Sequence, residues 1–341
     1  MKPNTFFSIL YFPVIISLIV LSLFCSCKTS GAISAEEYFS IGMAYYEMGQ
    51  KSTKDRERYF LEAEKWLNRA RAADKTMTAS DYNLGRIAFE TGRYDEAARY
   101  FEQILKKDPE NTMALKAASY SRIKNGDLKK AETHYDKILT LIPESADDGY
   151  NYALVLYGLQ KYQQCEDVLN KYTYALEENT TSMLLFARAQ KAQKKVEAID
   201  SYSKWALIAK PASAQGLYEY ALVLEDAGHY ARAQEQYIAA ISAFKTGEGD
   251  LKKSQLIFEQ ARLFLSFDPE NGDGLIKLAA AVAEGFSNVE AIQELLLDER
   301  IKSENKGEIK KILDKMLSAE KEKDEKKEEG EEEKTDDTEY D

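Results

Sequence analysis

A spacing of 34 residues governs this sequence. Stepping by that interval from Leu84 reaches Ala118, Tyr152, Phe186 and Tyr220, all apolar or aromatic. The residue after each is small: Gly85, Ser119, Ala153, Ala187 and Ala221. A third column runs Ala97, Ala131, Cys165, Ile199, Ala233, and a fourth runs Tyr94, Leu128, Tyr162, Val196, Tyr230. Pro109, Pro143 and Pro211 keep the same interval, and Glu177 stands where a further Pro would fall. A unit of this length cannot bury its own apolar face, so the chain must stack neighbouring units against one another.

Each column has a physical purpose. A small residue after the apolar one lets two helices of a hairpin cross closely, and a second small residue completes the contact from the facing helix. Pro ends the second helix by removing a donor and restricting the residue before it. Gly92 and Gly126 fall between the helices, where a left-handed residue ends the first one. Few Pro (6) and Gly (17) in 341 residues also favour helices over a turn-rich β fold.

The clearest unit is Asp81-Tyr82-Asn83-Leu84-Gly85, then Gly92-Arg93-Tyr94, Ala97 to Phe101, and Asp108-Pro109. It resembles the tetratricopeptide repeat family. Repeats then begin at 78, 112, 146, 180 and 214. An earlier one shows at Ile41-Gly42 with Ala63, Leu67 and Ala70, and a later one at Leu278-Ala279 with Ala291 and Leu295. The resemblance covers residues 35–305, with insertions near 51–58 and 248–267, and departs from the family pattern at Asp81 and Glu177. It implies an all-α, right-handed solenoid of about seven hairpins. Ile309, Ile312, Leu313, Met316 and Leu317 recur at amphipathic helix spacing and predict a capping helix over 306–319 that covers the last hairpin.

The ends differ from the array. Lys2 precedes an apolar run from Phe6 to Phe24, then Cys25-Ser26-Cys27-Lys28. This has the form of an export signal over 1–26. It resembles a bacterial lipoprotein signal, with small Ser26 before Cys27 as the residue to be lipidated and 27–34 as a tether. The alternative is an uncleaved anchor, because the run approaches the length of a membrane span. Either way the expected location is a bacterial cell envelope, with a membrane-held protein facing the periplasm or exterior. At the other end, residues 320–341 carry 13 acidic and 5 basic residues, so −8 of the net −12 sits in a tail expected to be disordered. The array is near charge balance, which argues against nucleic acid as a partner.

Catalytic chemistry finds no foothold in the sequence. His134 and His229 fall in different repeats with no Cys or His at metal-ligand spacing, and Cys165 stands apart. No phosphate-cradling glycine loop and no nucleophile elbow occur. The expectation is no enzyme, no cofactor and no metal.

The informative feature is a second stripe on each first helix, about 100° round from the core stripe. In the tetratricopeptide family that face lines a concave groove for peptides. Here it brings Phe39, Met43 and Tyr46, then Tyr82, Arg86 and Phe89, then Tyr120, then Tyr150 and Tyr157, and finally Tyr218. Arg188, Lys191 and Glu225 occupy equivalent places. Hairpin stacking alone does not require so many rings, although any one of them can pack on a neighbouring hairpin. The family's carboxylate-gripping arrangement is not matched, since Lys116 is followed by Tyr120 rather than Asn. The function implied is a membrane-anchored scaffold holding a peptide or protein partner, in envelope assembly or secretion. The alternative is an accessory ligand-binding subunit of an envelope transport system, which requires a deep closed pocket.

Overall fold

Ser34 opens the first helix with a capping box. Its hydroxyl accepts from the Glu37 amide at 3.2 Å, while its own amide donates to Glu37 Oε2 at 2.9 Å. From there helix follows helix, and no strand occurs among the described residues. The computed structural model describes residues 33–172, 179–247, 249–268 and 272–318. Cys27, the apolar leader, Glu177 and the acidic tail lie outside them. The chain divides into two units, residues 1–148 and 149–341.

The first unit holds α1 (Ala35–Lys51), α2 (Arg56–Ala73), α3 (Thr78–Glu90), α4 (Tyr94–Lys107), α5 (Thr112–Lys124) and α6 (Leu128–Leu141). They pair as α1/α2, α3/α4 and α5/α6, with α2 against α3 and α4 against α5. The small column does what its spacing predicts. A Cβ added at Gly85 would lie 2.7 Å from Phe101 Cζ, and one at Gly42 would lie 2.8 Å from Leu67 Cγ. The extra residues of the first hairpin go into its helices, which run 17 and 18 residues against 13 and 14 in the next. One core cluster of this unit gathers around Tyr46, Phe60, Leu67 and Leu84, and another around Phe101, Ile104, Ala114 and Ala118.

The turns repeat atom for atom. After α3, Gly92 takes φ +78°, its amide donates to Phe89 C=O at 3.1 Å, and the Arg93 amide donates to Ala88 C=O at 2.8 Å. That is the paired bonding of a Schellman cap. The same two bonds recur at Gly126, Gln160, Lys194 and Gly228, each 34 residues on and each with positive φ. Gln160 and Lys194 hold this conformation without being glycine, so the sequence does not mark their turns as it marks those at Gly92, Gly126 and Gly228.

The second unit contains α8 (Tyr162–Lys171), α9 (Thr180–Ala192), α10 (Ala198–Ile208), α11 (Ala214–Asp226), α12 (Tyr230–Ala243), α13 (Lys253–Phe267), α14 (Asp273–Ala283) and α15 (Val289–Leu297). The boundary between units falls inside the preceding helix, α7 (Ala146–Gly158). Successive helices from α8 to α14 pack on one another. The stretch read as an insertion at 248–267 contains α13, a full layer of this stack. Its Leu256 and Leu263 join one core cluster, and its Phe258, Ala261 and Leu265 join the next. Residues 303–318 form the last described helix, which docks on that second cluster through Ile309 and Leu313. The fold is an all-α helical solenoid capped at its C-terminal side by this helix.

Candidate functional site: an aromatic first-helix face

In the first unit the predicted stripe forms an open aromatic cleft. Tyr82 meets Phe101 edge-on at 5.4 Å, and Phe89 lies 5.2 Å from both Tyr94 and Tyr120. Tyr82, Phe89, Phe101 and Tyr120, with Arg86, Glu90, Ala117 and Ser121, line a space of about 190 Å³, enough for one large side chain. Tyr120 is 49% exposed, with Lys124 5.5 Å above its ring. Arg86 lies 4.7 Å over the Tyr46 ring and donates to Asn83 Oδ1 at 3.3 Å. Two cations thus border the rings, each placed by a cation–π contact.

Tyr46 corrects the sequence expectation. It is only 3% exposed, stacked on Phe60 at 5.7 Å, and so cannot line a groove. Its hydroxyl donates to Glu90 Oε1 at 2.5 Å and accepts from Gln50 Nε2 at 2.9 Å, while Glu90 also bonds Gln50 and pairs with Arg56 at 2.9 Å. Burial, aided by the Glu90 bond, pushes the Tyr46 phenol up to about 12. Phe39 and Met43 are half-buried and pack on the same core cluster.

The second unit uses the stripe differently. Tyr150 and Tyr157 are half-buried around the exposed Leu154, and Tyr157 meets Tyr162 edge-on at 5.3 Å. Burial raises the Tyr157 phenol. Tyr218 leans on Tyr237 at 6.2 Å and accepts from Gln255 Nε2 at 3.3 Å, and burial brings its phenol to about 12. Two of the charged stripe positions, Arg188 and Glu225, are spent on ion pairs between layers. Arg188 grips Glu219 at 2.7 and 3.0 Å, and Tyr202 donates to the same carboxylate at 3.2 Å. Glu225 accepts from Arg262 at 2.7 Å and from Tyr237 at 3.0 Å, and Arg262 also bonds Glu259 at 2.8 Å. Burial opposes the charge on Arg262, but these carboxylates outweigh it and raise its pKa. Here packing claims what the sequence pattern offered to a ligand.

Groups with chemical potential elsewhere are quiet. Cys165 is fully buried, and burial drives its thiol to about 12. Burial also lowers the His134 imidazole pKa. No cluster of three or more His, Cys, Asp or Glu residues suited to a metal occurs among the described residues.

A family model described as tetratricopeptide repeat matches residues 82–146, the segment that carries the tight Gly85 crossing and the first two left-handed turns. This is a tetratricopeptide-repeat protein. A model described as anaphase-promoting complex, cyclosome, subunit 3 matches residues 124–205. The chain is 47% identical over 66 residues to the uncharacterized protein ycf37 of Pyropia yezoensis, covering 18% of this chain and 36% of that one. Among solved structures, pilF of Pseudomonas aeruginosa aligns with a TM-score of 0.50 at 18% identity, over 65% of this chain and 97% of that one. A tetratricopeptide repeat protein of Parabacteroides merdae aligns with a TM-score of 0.49 at 21% identity, over 75% and 98% of the two chains. At 18% identity the likeness to pilF speaks for the fold alone. Tetratricopeptide repeats are typically non-catalytic scaffolds, and their hairpins supply a surface on which another protein can be held.

Proposed function

We propose that this tetratricopeptide-repeat protein is a membrane-anchored scaffold in a bacterial cell envelope, which holds a peptide segment of a partner protein on its first-helix face. The observation that carries the reading is the cleft in which half-buried Tyr82 and Phe89 and exposed Tyr120 lie over the buried Phe101. Exposed contiguous aromatic surface is what monomers avoid unless it is used. The Cys27 signal supports the anchor; no helix among the described residues is long and apolar enough to cross a membrane, and the Phe6–Phe24 run lies outside them.

Burying several rings gives a large gross gain, but ordering a peptide consumes much of it and leaves about micromolar affinity, near −8 kcal/mol. A tether to the partner's membrane offsets this by raising local concentration. A transport-subunit role needs an enclosed ligand chamber, and the described clefts are open, which favours the peptide reading.

The test is a pull-down from detergent-solubilised membranes with the Tyr82→Ala/Tyr120→Ala/Tyr150→Ala variant, beside mass spectrometry of the mature N-terminus. Loss of partners with helicity retained, and an acylated Cys27, support the reading. Unchanged partners would remove the groove, and an intact Met1 would remove the lipid anchor.

A further inference from the structure

A second cleft lies on the first unit, built by the second helices of its hairpins rather than by the aromatic face. Arg71, Lys75, Gln103, Lys106 and Lys107 line a space of about 560 Å³, with Asp81 in its wall. Its lining carries four cations and one carboxylate, in a chain whose net charge is −12. An adjoining cleft adds Arg99 and Glu96 beside Arg71 and Gln103, and so no net charge.

The arrangement is fixed from below. Asp81 is 2% exposed, with Arg71 Nε 3.2 Å from Oδ1 and Lys107 Nζ 3.5 Å from Oδ2. Lys107 Nζ also donates to the Lys75 carbonyl at 2.6 Å, tying the end of α4 to the loop after α2. The neighbouring Asp74 carboxylate is turned to the Thr76 amide and hydroxyl, both at 2.7 Å. Asp81 is thus shared between two cations, and Lys75 and Lys106 have no ion-pair partner among the described residues.

Attraction to the negative end of a helix accounts for Lys106 and Lys107 in the last turn of α4. It does not account for Lys75, which lies beyond α2 and converges on the same space. Like charges gathered in one cleft repel, and an anion between them removes that cost. Ammonium and guanidinium donors match the several acceptor oxygens of a phosphate.

We propose that this cleft binds a phosphate group carrying two or more negative charges, as a pyrophosphate or a phosphomonoester. That chemistry is shared by soluble phosphorylated molecules and by the monoester headgroup of a lipid. The site does not depend on the aromatic groove.

The experiment is calorimetric titration of the full-length protein in detergent, with inorganic pyrophosphate in one arm and dihexanoyl phosphatidic acid below its micellar range in the other. Saturable binding in either arm is expected, weakened about tenfold or more in Lys75→Ala/Lys106→Ala and by high salt. The exposed position of both lysines lets that variant keep its fold. Tyr82→Ala/Tyr120→Ala should leave the titration unchanged. Tighter pyrophosphate binding assigns a soluble ligand, and tighter lipid binding assigns a headgroup. No saturable binding in either arm, or binding that survives loss of both lysines, overturns the proposal.

Discussion

Replacing Gly85 by Ala tests the hairpin crossing directly. The new Cβ would stand 2.7 Å from Phe101 Cζ and 2.8 Å from Cε1, where carbon contacts ordinarily sit about 3.5–4.0 Å apart. The ring must therefore retreat by about 1 Å, yet it is 2% exposed and already held edge-on by Tyr82. Overpacking of this kind costs about 1–3 kcal/mol, whereas Ala in place of Gly within a helix returns about 1 kcal/mol. The net expectation is destabilisation by about 1 kcal/mol. Gly307 supplies the control, because it lies in the helix over 303–318 with nothing within 4 Å of an added Cβ. There the same change gains only helix propensity, about 1 kcal/mol in the opposite direction. Urea unfolding followed by circular dichroism gives the signs, and amide exchange localises them, since a repeat array need not unfold in one step. Trimming the ring with Phe101→Leu should recover part of the Gly85→Ala loss but none of the Gly307→Ala gain. Equal stabilisation at both glycines would refute a tight crossing.

Other outcomes follow from the same geometry. Arg122 is 3% exposed and holds Glu102 through two bonds and Asp95 through a third, all at 2.7 Å. Arg122→Ala should cost about 2 kcal/mol, below the usual figure for a fully buried pair because both carboxylates keep some solvent, and Arg122→Lys should rescue little because it cannot chelate; chemical denaturation reads both. Gln160→Gly and Lys194→Gly should each stabilise by about 0.5–1 kcal/mol by relieving a left-handed backbone, while Gly126→Ala should destabilise. Bonds from Arg300 hold the Asp298 carboxyl down to about 2, below its ordinary 3.8. Its stabilising contribution is therefore complete above about pH 4 and lost as pH falls toward 2, and Asp298→Asn should flatten that part of the stability profile. Maleimide should label Cys165 at pH 8 only after unfolding, as followed by peptide mass spectrometry.

The sequence was most legible where one physical demand recurs at fixed spacing. Gly42 and Gly85 mark close crossings because nothing larger fits, and Pro109 and Pro143 follow the ends of α4 and α6 because proline cannot continue them. The left-handed turns were half visible, since Gln160 and Lys194 adopt a conformation that their side chains do not announce. The groove was harder to read. Periodicity places Tyr46, Arg188 and Glu225 on the right face of their helices, but not whether the next layer supplies a partner. Phe60 and Glu90 claim Tyr46, Glu219 claims Arg188, and Arg262 claims Glu225. Those partners come from other helices, and no pattern within a single helix encodes them. Tyr82 packs on Phe101, and Phe89 on Tyr94 and Tyr120, yet none of Tyr82, Phe89 and Tyr120 is fully buried.

The most direct measurement places a photo-crosslinking residue at position 120 in intact cells, beside a control at the exposed Leu61 on the second helix α2. The aromatic face predicts a discrete adduct from position 120 that is absent from position 61 and disappears with Tyr82→Ala/Phe89→Ala. The same adduct from both positions, or one from position 61 alone, would contradict a partner seated among these rings.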